Sequence, residues 1–256
     1  MVATGGGDAR TPPRYRASGL AALGRSGVDT INDDSLRLYS YWRSSAAYRV
    51  RIGLALKGLA FETLPVHLLR DGGQQHGADY AALNPQQLVP VLLHGRRAVR
   101  QSMAILEYLE EAWPDTVPLL PAGARERGRV RALAQLVACD IHPLNNLRVL
   151  QFFERQWNVP QAERDEWVRH WIVEGLAAFE ALVADDPSTG TFCHGDAPGL
   201  ADCCLVPQLY NARRFGVDPG QWRTLARIEQ ACLALPEFRA AAPEAQPDAP
   251  VGRAPA

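Results

Sequence analysis

Two rhythms of apolar and polar positions divide the first half of the chain. Leu36-Arg37-Leu38-Tyr39 alternates with the period of a half-buried strand. The alternation stops at a polar Arg43-Ser44-Ser45 corner, after which Ala47, Val50 and Leu54 fall on one face of a helix. That helix runs to about Lys57, with Gly58 as its stop. Phe61-Glu62-Thr63-Leu64-Pro65-Val66 is a second strand, and Pro65 assigns it to a sheet edge because proline cannot donate to a ladder. Asp71-Gly72-Gly73-Gln74-Gln75 reads as a loop, followed by a short helical piece near Asp79 to Leu83 that Asn84-Pro85 breaks. Val89-Pro90-Val91-Leu92-Leu93 and Ala98-Val99 frame a His94-Gly95-Arg96-Arg97 turn, a hairpin. A helix from Ser102 to Ala112 closes at Trp113-Pro114. The order is β-α-β-(α)-β-β-α.

From Pro121 onward only the helical rhythm remains. Arg125 to Cys139 is predicted helical, and Ile141 to Trp157 continues after a break at Pro143. Val168, Trp171, Gly175, Leu176, Phe179 and Leu182 trace a stripe along a helix between Gln161 and Ala184. Leu200 to Phe215 and Thr224 to Leu235 are two further helices, the first containing Pro207. The pattern therefore predicts an α/β domain over 36–118 and an all-α domain over 122–242. Residues 1–34 show neither period and are expected to be a disordered leader. The Pro/Ala-rich tail, 243–256, is expected to be held by surface contacts alone.

Composition narrows the class of protein. Formal net charge is -1, from Lys+Arg 27 against Asp+Glu 28, which offers no basic surface for nucleic acid or an acidic membrane. No apolar run reaches the length of a membrane span. Cys139, Cys193, Cys203, Cys204 and Cys232 are an odd number without a C-x-x-C pair, so reduced thiols in a cytoplasmic protein are expected. Six scattered histidines lack zinc-ligand spacing, and no metal site is expected.

The chemistry gathers at the Ser44-Ser45 corner. Both hydroxyls stand where helix N–H groups are unpaired and the helix dipole is positive, so they serve either as ordinary N-caps or as donors to an anion. The element order has the shape of a thioredoxin-type domain, whose first helix usually opens on redox cysteines. Here the corner reads Ser44-Ser45-Ala46-Ala47 and offers no thiol. A site that stabilises a thiolate without owning one must borrow it, and glutathione is the abundant candidate. Other positions suit such a tripeptide. A cis bond at Val89-Pro90 would free the Val89 peptide groups to pair with it as an added strand. Gln101-Ser102 opens a helix whose N–H groups suit a carboxylate, and Gln75 could reach the ligand's other end.

These runs carry a resemblance. Tyr41-Trp42-Arg43-Ser44-Ser45-Ala46-Ala47-Tyr48-Arg49-Val50-Arg51-Ile52, Ala82-Leu83-Asn84-Pro85-Gln86-Gln87-Leu88-Val89-Pro90 and Gln101-Ser102-Met103-Ala104-Ile105-Leu106-Glu107-Tyr108-Leu109-Glu110-Glu111 resemble the zeta-class glutathione transferases. Asp140-Ile141-His142-Pro143-Leu144-Asn145-Asn146-Leu147-Arg148 and Leu200-Ala201-Asp202-Cys203-Cys204-Leu205-Val206-Pro207-Gln208 extend the likeness into the helical half. The resemblance implies a thioredoxin-like domain followed by an all-α domain, with glutathione as cofactor. Ser44 and Ser45 would be donors to its sulfur, Ser44 the more important. Gln75, Val89, Gln101 and Ser102 would hold the tripeptide, with Asn146 and Arg148 approaching from the helical half. Arg43 and Arg214 would grip substrate carboxylates. The implied activity is cis–trans isomerisation of maleylacetoacetate, with maleylpyruvate isomerisation, a general transferase or dehalogenase, and a non-catalytic binding protein as alternatives. A homodimer is implied in the same way. Two positions depart from the family pattern: Ala46 stands where cysteine is common, and Gly199 stands where a serine or threonine commonly caps the helix before Ala201-Asp202.

Overall fold

The computed structural model describes residues 34–250; the expected leader lies outside them, as does the end of the tail. β1 (Leu36–Ser40), α1 (Ser45–Leu56), β2 (Glu62–Pro65), α2 (Ala78–Leu83), β3 (Val91–His94), β4 (Arg97–Arg100) and α3 (Ser102–Ala112) follow in the predicted order. The sheet runs β2-β1-β3-β4, with β1 parallel to β2 and antiparallel to β3. Leu38 sits opposite Thr63 on one side and Leu92 on the other. β2 is indeed an edge strand, so the lost N–H of Pro65 costs no ladder bond.

α1 is not the one-faced helix that its sequence suggests. Val50 and Leu54 pack with Leu36, Leu38, Leu92, Ile105 and Leu109 against the sheet and α3. Tyr48, Ile52 and Leu56 join a separate core that includes Val137, Leu205 and Leu209 of the helical half. The helix is covered on both flanks, and even Arg49 and Arg51 are buried.

The second half comprises α4 (Ala124–Gln135), α5 (Leu147–Trp157), α6 (Gln161–Val183), α7 (Leu200–Arg214), α8 (Arg223–Ala234) and α9 (Pro236–Ala241). Three expectations need correction here. The helix predicted to reach Cys139 ends at Gln135, and Leu136–Ile141 widens into a π turn before a 3-10 turn over His142–Asn145. Gly175 makes room for that turn, since a Cβ there would overlap the Ile141 side chain. The α6 stripe runs through Ile172, Leu176, Phe179 and Val183, whereas Leu182 is 52% exposed. At about 100° per residue, Val183 falls about 20° from the direction of Leu176, whereas Leu182 falls about 120° from it.

The tail, third, is integrated into the fold. Pro243 is buried. The Tyr210 hydroxyl donates to Glu244 Oε1 at 2.6 Å, and Gln246 Nε2 donates to the Ala240 and Ala242 carbonyls at 3.0 and 2.9 Å. Earlier in the chain, α7 keeps half of a capping box. Asp202 Oδ2 accepts the Gly199 N–H at 2.9 Å, and glycine has no side chain to return the bond. A Cβ at position 199 would lie 2.8 Å from the Leu119 carbonyl oxygen, so the glycine permits that close approach.

Candidate functional site

Chain leaving β1 turns at Tyr41–Ser44, where the Ser44 N–H donates to the Tyr41 carbonyl at 2.9 Å. Ser44 is the N-cap of α1, its Oγ accepting the Ala47 N–H at 3.2 Å. A hydroxyl that accepts in this way still has its own proton to donate. The capping and anion-facing readings are therefore compatible in one side chain. Ser45 follows at the first helical position and is 8% exposed.

Ser44 and Ser45 open onto a cavity of about 410 Å3 between the sheet half and the helical half. Arg43, Gln75, Val89, Asn146, Arg148 and Arg214, all singled out from the sequence, line the same cavity. The Val89-Pro90 bond is cis. Gln75 comes from a 3-10 turn whose preceding residue, Gly73, has φ 103°; a Cβ at 73 would meet the Gln75 amide at 2.6 Å. Asn146 caps α5, accepting the Arg148 N–H at 3.2 Å. Arg214 donates to Asn211 Oδ1 at 3.0 Å, and its guanidinium lies 5.5 Å from the Phe215 ring centroid.

Gln101 and Ser102 are not among the cavity-lining residues. Gln101 is exposed, with φ 70° and ψ 122°, a backbone conformation that costs a non-glycine residue about 1–3 kcal/mol. Its amide reaches Gln86, which does line the cavity, at 2.7 Å. Ser102 is buried behind it at the start of α3 and accepts from Arg49 Nη1 at 3.3 Å. Local pattern located the start of α3 correctly but gave no depth for its first two residues.

Like Asn145 in the same quoted Asp140–Arg148 run, His142 lines the cavity without having been singled out from the sequence. The π turn before it delivers it to the cavity wall. Burial, reinforced by the nearby Arg49 guanidinium, lowers its pKa from the ordinary 6.5 to about 3, so the imidazole is neutral near pH 7. Arg49 is itself unusual. Its Nε and Nη2 are buried without a partner among the described residues, and burial lowers its pKa. An uncompensated guanidinium beneath the N-termini of α1 and α3 makes this region receptive to negative charge.

The residues fit a glutathione-like peptide by a test internal to the protein. Gln75 Oε1 and both amide atoms of Asn145 are buried without hydrogen-bond partners among the described residues, and both residues line the cavity. Buried orphan acceptors and donors beside a helix N-terminus suit a ligand carrying amino, amide and carboxylate groups.

The fold and this cavity define a recognised class. Residues 34–111 match the family model for the glutathione S-transferase N-terminal domain, and residues 161–243 match that for the C-terminal domain. The chain belongs to the glutathione S-transferase family. Within it, a probable maleylacetoacetate isomerase of Vibrio cholerae serotype O1 is 49% identical over 215 residues, covering 84% of this chain and 99% of the relative. A maleylpyruvate isomerase of a Ralstonia species is equally similar, 49% over 214 residues, covering 83% of this chain and 99% of the relative. The crystal structure of a maleylacetoacetate isomerase from Anaeromyxobacter dehalogenans 2CP-1, with glutathione bound in its active site, is 53% identical. It superimposes with a TM-score of 0.75 over 84% of this chain and 98% of that one.

Proposed function

We propose that this protein is a glutathione-dependent isomerase that converts maleylacetoacetate to fumarylacetoacetate. The observation that carries the reading is the convergence on one cavity of the Ser44-Ser45 corner and two arginines, Arg43 and Arg214. When bound, glutathione supplies a thiolate nucleophile that can add to an activated double bond and leave again after rotation. The Ser44 hydroxyl would donate to the sulfur, assisted by Ser45 and by the positive end of α1. A free thiol has a pKa of about 8.5, and lowering it by two units requires about 2.7 kcal/mol of preferential stabilisation of the anion. Hydroxyl donors and a helix terminus supply interactions of that size. Gln75, Val89, Asn146 and Arg148 would hold the tripeptide from the cavity wall; Gln101 and Ser102, which lie outside that wall, are assigned to the ligand by the family resemblance alone. Arg43 and Arg214 hold the substrate carboxylates, for which planar guanidinium groups are suited.

Maleylpyruvate is the second candidate substrate. By family resemblance, maleylpyruvate isomerases carry Ser-Gly-Thr at the corner and an arginine at the position of Leu147; this chain has Ser44-Ser45-Ala46 and a cavity-lining Leu147 instead, so maleylacetoacetate is preferred. Loss of substrate absorbance, followed with and without glutathione for each compound, tests both statements. A rate independent of glutathione would refute the proposal, and a higher kcat/KM for maleylpyruvate would reverse the order of substrates. The same reading includes a homodimer in the cytoplasm, resting on family likeness and the five free thiols. Light scattering that gave the mass of a single chain would refute the dimer.

A further inference from the structure

The chain's last described residues return to the start of the site. Trp42, two residues before Ser44, donates its N–H to Asp248 Oδ2 at 2.9 Å, across 206 positions of sequence. Its carbonyl accepts from Arg51 Nη2 at 3.0 Å. Arg51 also donates to Ser40 Oγ at 3.1 Å and, through Nε, to the Ala241 carbonyl at 2.9 Å. Both peptide groups of Trp42 are thus pinned, one directly by the C-terminal segment and one by an arginine that this segment also holds. Ala249 adds apolar contact, packing on the cluster that contains Tyr41, Trp42 and Val89.

This attachment matters because of what Trp42 precedes and supports. The Arg43 guanidinium lies 5.5 Å from the Trp42 ring centroid, and Ser44 caps α1 immediately afterwards. Trp42 is 4% exposed, so an N–H cut off from Asp248 would have to find another acceptor in a mostly buried setting. A shift of this peptide would move the Arg43 side chain and the Ser44 hydroxyl together. Displacements on the order of 1 Å are enough to reduce catalysis severely.

We infer that Asp248 is a positioning residue, whose carboxylate holds the Trp42 amide and thereby sets Arg43 and Ser44 for ligand binding. The inference rests on the proposed role of the Ser44 corner, but the hydrogen bond can be tested without turnover. In Asp248→Ala, amide hydrogen exchange across Trp42–Ser45 should accelerate at least about tenfold, while exchange in the α6 core is unchanged. The same variant should lose about tenfold in kcat/KM at a temperature where it is fully folded. The pKa of glutathione's thiol, read from thiolate absorbance in the complex, should rise. Asp248→Asn keeps an acceptor and should restore most of the protection and the rate. If Asp248→Ala does not fold, Asp248→Glu, which displaces the carboxylate by one methylene, should show the same pattern in milder form. Unchanged exchange at Trp42, wild-type kcat/KM in Asp248→Ala, or equal losses in the alanine and asparagine variants would each overturn the inference. Wild-type protein inactive with glutathione would refute the functional reading instead, leaving the exchange result to decide the role of Asp248.

Discussion

Arg49 Nη1 donates to Ser102 Oγ at 3.3 Å, linking the buried flank of α1 to the first turn of α3. No other hydrogen bond reaches the guanidinium from the described residues. Burying a charge with so little compensation is unfavourable for folding, and isosteric apolar replacement of such groups is often neutral or stabilising. Arg49→Met should therefore leave Tm unchanged or raised. Glutathione affinity should nevertheless fall about tenfold, or 1.4 kcal/mol, because both the field at the α3 terminus and the hold on Ser102 are lost. Calorimetric titration and thermal melts on the same sample check the pair of outcomes. Equal affinity in both proteins would remove Arg49 from the account of the site.

Ser44 combines a structural and a chemical role, and the two have different sizes. Losing the bond to the Ala47 N–H should cost about 1 kcal/mol of stability, as for other N-caps. Losing a donor to a developing or resident anion costs about 100-fold or more in rate. Ser44→Ala should accordingly remain folded, lose its bound-thiolate absorbance and isomerise about 100-fold more slowly. Ser45→Ala should lose less. Should Ser44→Ala keep the absorbance, the sulfur donor would have to be sought elsewhere.

Much of this arrangement was legible in the sequence, and the exceptions share a cause. Alternation located β1, Pro65 marked the edge of the sheet, and the Ser-Ser corner marked the start of α1. Those signals are local. Leu182 was misassigned because a helical stripe gives a face but not the partner that covers it, and Val183 lies nearer the buried line. The packing of α1 on both flanks, the depth of Ser102 and the contact of Asp248 with Trp42 depend on residues far away in the chain. No period of two or 3.6 residues carries that information. His142 was missed for the same reason: its place in the cavity depends on a π turn that local spacing does not announce.

His142 should leave a signature in acid. Its pKa is lowered in the folded protein, to about 3, against 6.5 ordinarily. Above pH 6.5 the imidazole is neutral both folded and unfolded, and it contributes nothing to pH dependence. As pH falls below 6.5 the unfolded chain takes up a proton that the folded protein refuses, so stability declines toward pH 3. At pH 5 the effect is at most about 2 kcal/mol. His142→Gln should remove this part of the decline. Urea unfolding at pH 7.5 and pH 5 should therefore show a smaller difference for the variant than for the wild type; identical differences would mean that His142 is not shielded in solution.

Asp202 supplies the last test, separating stability from chemistry in the opposite direction to Arg49. It is 1% exposed and accepts two backbone donors, the Cys193 N–H through Oδ1 and the Gly199 N–H through Oδ2, each at 2.9 Å. Removing the carboxylate would strand both donors in the interior, where each unsatisfied group costs about 1–3 kcal/mol. Asp202→Ala should lose about 2–5 kcal/mol in urea unfolding, the lower end applying if the surrounding loop relaxes toward water. None of the cavity-lining residues bonds to Asp202, so the folded fraction should keep kcat/KM within about threefold at low temperature. A variant of unchanged stability would mean that the two N–H groups find other acceptors. A variant that stays folded but turns over poorly would instead place α7's first turn in the catalytic machinery, where nothing in its contacts puts it.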